Sequence, residues 1–242
     1  MSSATTTITT RPPKGSRPAG AARLSGPALL ALAAFTGLVV LFATDQIVPA
    51  SSERQAELRL WLVARATGVV ALLLLTAQVA LGLVLSHPVN KSTWKLSKAI
   101  FPWHDHIWTF IAGFLAAHVA SVVLDPFAGV GLGAVIPGIS EYRSVPVALG
   151  TFALYAFLIT AVTARWTTLL PRGAWLVLHR LSIGVLGLAW THGVLAGTDS
   201  GALEPIYVAS GLVVLGAAAY RYWAVRQGRP TFATSLPEVP SR

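Results

Sequence analysis

The chain has 242 residues, 54% of them hydrophobic and only 11% charged, against about 25% charged in a soluble domain. Its formal net charge of +9 is gathered between apolar runs, as in the cytoplasmic loops of membrane proteins, so it does not indicate nucleic-acid binding. With no cysteine, it is excluded from disulfides, thiolate iron–sulfur ligation, cysteine zinc sites and cysteine nucleophiles. Its one methionine is Met1, which leaves no methionine as an axial metal ligand within a membrane.

Residues 1–26 are rich in Ser, Thr, Pro and Gly, with Arg11, Lys14, Arg17 and Arg23 and no acid, and are expected to be a disordered basic tail. Residues 27–44 form the first apolar run. It is longer than the ~7–15 residue core of a signal peptide and no clean small-x-small site follows, so a retained helix is expected. Residues 61–85 are the second span and 87–101 a loop with Lys91, Lys95 and Lys98. The third span covers 102–124, the fourth 145–164, the fifth about 173–196 and the sixth 204–225. Each suits the roughly 20 residues that cross a bilayer core. A polar tail, 226–242, is expected to be flexible.

The basic residues alternate from loop to loop. The N-terminal tail, the 87–101 loop, the Arg165 and Arg172 turn, and Arg221, Arg226, Arg229 and Arg242 are basic. Arg54, Arg59 and Arg143 have acids nearby, and the last link holds only Asp199 and Glu204. This predicts an all-α bundle of six transmembrane helices over 27–225 with both termini cytoplasmic. No nucleotide-binding fingerprint, phosphate loop or serine nucleophile motif is present.

Two spans carry paired histidines. His104 and His118 are 14 residues apart in the third span, and His179 and His192 are 13 apart in the fifth. A histidine within hydrocarbon is costly and marks a candidate site. Both spans run outward, so His104 pairs with His179 toward the cytoplasm and His118 with His192 toward the exterior. Fourteen residues of helix rise about 20 Å, which fits two stacked metal centres within a core ~30 Å thick. Two haems at these levels form an electron path across the membrane. Fourteen residues turn about 1400° and put His104 and His118 on one face, while thirteen fall about 140° short of four turns. Either span five is tightened or bent near Gly184 and Gly187, or its two ligands approach from different sides.

The other reading of the four histidines is polar glue between helices, in a haem-free transporter or scaffold. All nine acids lie in loops or near helix ends, which weighs against a proton pathway. Gly113, Ala116, Ala117, Gly184, Gly187, Ala189 and Gly193 leave room for a flat group, or serve ordinary helix packing. His106 competes with His104 and is expected at the interface. His87 reads as a cap or solvated residue. Arg180 either holds a propionate of the inner haem or snorkels to headgroups. Arg65 either serves an outer-haem propionate or anchors the helix. Trp103, Trp108, Trp175, Trp190 and Trp223 read as interface anchors or packing.

The two-histidine third span, the basic turn and Trp175 before His179, and the ending His192, Gly193, Gly197, Thr198, Asp199, Ser200 together resemble the ferric reductase-like transmembrane domain superfamily. It includes ferric reductases, the membrane half of NADPH oxidases and the haem subunit of the periplasmic methionine sulfoxide reductase system. The short actinobacterial-type members are most similar. The resemblance implies a multi-pass protein of the bacterial cytoplasmic membrane with two b-type haems, His104 and His179 on the inner iron and His118 and His192 on the outer. Asp105 and Ile183 depart from the pattern, and the flavin and NADPH domains of the larger members are missing. Electrons are therefore expected from a separate cytoplasmic flavin reductase or from quinol, and to leave for an exterior acceptor.

Overall fold

A computed structural model describes residues 25–47, 50–87 and 94–227. The two tails, apart from their innermost residues, and Lys91 lie outside the described residues. Every regular element among the described residues is helical. In chain order these are α1 (Gly26–Ile47), the short α2 (Glu53–Glu57), α3 (Arg59–Leu85), α4 (Trp94–Leu124), α5 (Ser144–Arg165), α6 (Arg172–Arg180), α7 (Ser182–Ala196) and α8 (Glu204–Gln227). A 3-10 turn at Gly131–Ala134 interrupts the link between α4 and α5.

Five segments are long and apolar enough to cross a membrane: Gly26–Thr44, Arg59–Leu85, Lys95–Leu124, Ser144–Arg165 and Arg172–Ala196. These five are compatible with a multi-pass membrane protein. α8 is 24 residues long but less apolar, with Glu204 in its first turn and Arg221 near its end. The surfaces of the apolar helices are inside-out by the standard of a soluble domain. On α1, Leu29 and Ala33 are buried while Leu30, Phe35, Leu38 and Phe42 are exposed, and on α5 Phe152, Leu158 and Ile159 are exposed. Contiguous exposed apolar surface of this extent marks contact with lipid or another partner. Hydroxyls inside the bundle bond back to their own helices: Thr67 to Val63, Thr76 to Leu72, Thr160 to Ala156. This satisfies a polar group where no water reaches.

Two boundaries differ from the sequence expectation. α4 starts at Trp94 and carries Pro102 inside it, so Lys95 and Lys98 lie on a helix and not in a loop. Proline removes one backbone donor, and the chain continues helical beyond it because the apolar stripe of the following span is packed on α3 and α1. The fifth span is two helices. The break is at Leu181, whose N–H is shared between Val177 O (3.2 Å) and Leu178 O (3.1 Å). Of the two alternatives left by the sequence, span five is distorted, but Gly184 and Gly187 both lie inside α7 and the break precedes them.

The packing leaves a gap where the histidines are. α4 packs on α3 and α1, and α7 packs on α5 and α3. α4, with His104 and His118, is not close-packed on α6, with His179, or on α7, with His192. A core of Leu72, Leu75, Val79, Ile111, Phe157, Val185 and Leu186 fills the middle of the bundle. Ile111, seven residues from both His104 and His118, is 2% exposed.

Candidate functional site

The four histidines meet in two facing pairs. His104 faces His179 with ring centroids 6.1 Å apart and planes at 89°. His118 faces His192 at 6.3 Å and 81°. His87 and Tyr220, by contrast, stack face to face at 4.2 Å and 17°. The break at Leu181 makes the 13-residue spacing workable. A residue wound as 3-10 turns about 20° further than an α-helical one, and two separate helices need not share one phase.

Three of the four rings are held from behind. His118 Nδ1 lies 2.6 Å from Ala64 O, His104 Nδ1 lies 3.1 Å from Gln78 O, and His192 Nδ1 lies 2.8 Å from Pro146 O. A carbonyl only accepts, so each Nδ1 carries the proton and each Nε2 is left bare. Gln78 also donates its side-chain amide to His104 O at 2.9 Å, which locks that pair of helices twice. His179 is held differently. The Trp175 indole stacks on it at 5.0 Å and 10°, and Trp175 Nε1–H donates to Thr163 O on α5 at 3.1 Å. Trp175, read from sequence as an anchor or packing residue, is thus part of the surroundings of the His104–His179 pair.

A cavity of about 190 Å³ opens beside the His118–His192 pair, lined by these two residues and by Gly68, Leu115, Ala189 and Gly193. Trp61, Arg65, Tyr142 and Asp199 line it as well. Arg65 is ion-paired with Asp199, donates to Thr198 Oγ1 at 3.1 Å and lies 6.0 Å from the Trp61 ring centre. Arg143, in a left-handed conformation with φ 41°, donates to Leu195 O at 2.6 Å and fastens the end of α7.

The remaining residues singled out from sequence separate from this arrangement. His106 Nδ1 bonds back to Pro102 O on its own helix at 2.7 Å and faces no partner histidine. His87 is buried and stacked on Tyr220, not solvated. Arg180 is exposed at the end of α6. Of the small residues, Ala189 and Gly193 line the cavity, and Gly184 and Gly187 face open space. Gly113 does not leave room for a flat group. A Cβ there would come 2.7 Å from Ala33 O and from Thr36 Cβ, so this glycine permits the close approach of α1.

Against family models, the curated proteins and the solved structures alike, the chain has no match. The geometry must therefore carry the functional reading by itself.

The donor set fits an iron held between two imidazoles. Metal–nitrogen bonds of about 2.0–2.1 Å on each side, plus about 1.1 Å from each nitrogen to its ring centre, give a centroid separation of about 6.2–6.4 Å. The two pairs measure 6.1 and 6.3 Å. Among the described residues no three or more His, Asp or Glu converge as a metal site. A haem iron needs only two protein ligands, since the macrocycle supplies the other four.

Proposed function

We propose that this chain is a membrane cytochrome that holds two b-type haems and moves electrons from the cytoplasmic side of the bacterial plasma membrane to an exterior acceptor. The donor is a separate flavoprotein or membrane quinol. The acceptor is a ferric chelate, oxygen or a redox protein docked near Thr198, Asp199 and Ser200. In this reading α8 is the sixth span, both termini are cytoplasmic, and the chain groups with the ferric reductase-like transmembrane proteins. One observation carries the proposal: two histidine pairs, each at the separation of a bis-imidazole iron, stacked about 20 Å apart by fourteen residues of helix.

His104 and His179 would hold the inner haem, and His118 and His192 the outer. Each haem, when bound, supplies one-electron redox chemistry at its iron. The protein supplies the rest. The Nδ1–H bonds of His104, His118 and His192 fix the tautomer that presents Nε2 and make the ring a stronger donor. Leu75, Ile111, Phe157 and Val185 make the cavity wall beside His118 and His192 apolar. Arg65, at the rim of the outer cavity, sets a positive charge where a carboxylate of the outer group would lie, and shares it with Asp199.

The test is a reduced-minus-oxidised absorption spectrum of the purified chain, with haem counted by pyridine haemochrome. Two b-type haems per chain are expected, and one in His118→Ala or His192→Ala with exterior acceptors no longer reduced. A folded protein, expressed with haem supplied, that carries none would overturn the reading and leave a transporter or scaffold.

A further inference from the structure

We propose that Gly68, Gly82 and Gly150 are positioning residues, each forming with the carbonyl four residues before it a seat that fixes the orientation of one ligand histidine. This deepens the di-haem reading and rests on it.

The three seats share one construction on two different helices. The accepting carbonyls belong to residues 64, 78 and 146, and the glycines are residues 68, 82 and 150. In an α-helix the carbonyl of residue i already accepts from the N–H of residue i+4. A side chain from a neighbouring helix that bonds the same carbonyl must approach alongside residue i+4, where a Cβ would stand. A Cβ on Gly150 would come 2.6 Å from His192 Nδ1, one on Gly68 would come 3.0 Å from His118 Nδ1 and Cε1, and one on Gly82 would come 3.1 Å from His104 Cε1. Gly113 is the contrast. Its close neighbours are the backbone of Ala33 and the side chain of Thr36, as ordinary helix packing requires, whereas the nearest atoms at the three seats all belong to histidine rings.

Register supports the same conclusion. The two seats on α3 are 14 residues apart, in step with the 14 residues between His104 and His118 on α4. A seat does two things at once. It accepts the Nδ1–H hydrogen bond, which leaves Nε2 without a proton, and it limits rotation of the ring about its Cβ–Cγ bond. The planes of the paired rings stand at 89° and 81°.

The experiment compares the full-length wild type with Gly68→Ala, Gly82→Ala and Gly150→Ala, with Gly216→Ala, where nothing lies within 4 Å of an added Cβ, as control. Haem per chain is counted, and the low-spin ferric signals are recorded by electron paramagnetic resonance, with His104→Ala and His118→Ala assigning inner and outer. Perpendicular imidazole planes give strongly anisotropic low-spin signals. Wild type and Gly216→Ala are expected to keep two haems and both signals. Gly68→Ala and Gly150→Ala are expected to lose or alter the outer signal alone, and Gly82→Ala the inner alone. Alanine is the better helix former, so a selective loss is not a weakened helix. Three folded variants with two haems and unchanged signals would overturn the seats and leave the di-haem reading standing. Loss of both haems together in each variant would also overturn them, as a general packing defect. Wild type without haem would overturn the di-haem reading and the seats with it.

Discussion

At the scale of single residues, the four histidines are not equivalent. Three are tied by Nδ1 to a main-chain carbonyl, and His179 is held by the Trp175 stack. Trp175→Phe keeps an aromatic face but loses the indole donor to Thr163 O, a hydrogen bond worth about 0.5–1.5 kcal/mol. Inner-haem content is expected to fall while outer-haem content stays, read from the two components of the reduced spectrum after dilution. The Arg65–Asp199 pair is a different case. Both side chains are partly solvent-exposed, so its contribution to stability is about 0–1 kcal/mol. Asp199→Asn is expected to leave thermal unfolding almost unchanged and to free Arg65 for a carboxylate of the outer group, which a redox titration of the outer haem would register as a shifted potential.

At the scale of elements, the break at Leu181 lets α6 and α7 each bring a histidine to its own level. α7 is fixed to α5 by His192 on Pro146 O and to α8 by Trp190 Nε1–H on Tyr207 O at 3.0 Å. α6 is fixed to α5 through Trp175. An alanine inserted between Leu181 and Ser182 turns one helix against the other by about 100°. Because α7 has the more anchors, α6 is the one that yields. One haem per chain is expected, the inner one missing, and retention of both would show that the break does not set the phase of His179.

For the whole molecule, the structure collects the features of each side at one end of the bundle. His118, His192, Arg65 and Asp199 line the outer cavity with Trp61 and Tyr142. At the other end Arg221 donates to Ser86 Oγ and His87 stacks on Tyr220, beside the inner pair's Gly82. The absence of native cysteine makes the orientation directly testable, because any introduced cysteine is unique. Gly201→Cys, exposed between α7 and α8, is expected to react with an impermeant maleimide added to intact cells. Lys95→Cys, exposed near the start of α4, is expected to react only after the membrane is opened. The reverse pattern would invert the assignment of inner and outer haem.

The sequence by itself determined the helical class, five of the six expected apolar spans and the pairing of the histidines at two levels. Apolar length and histidine spacing are local properties, and a 3.6-residue period turns them directly into height along a helix. It also held the seat register, since Gly68 and Gly82 repeat the spacing of His104 and His118. A lone glycine in an apolar run reads equally as close packing, however, and only the fold shows whose ring lies against it. Tertiary structure decided that Gly113 turns to α1, that His106 bonds back to its own helix, and that Trp175 stacks on His179. It also decided that the fifth span breaks at Leu181 and not at its glycines. Each of these depends on which helix lies next to which, and that is fixed by packing between segments far apart in the chain. No local pattern records it.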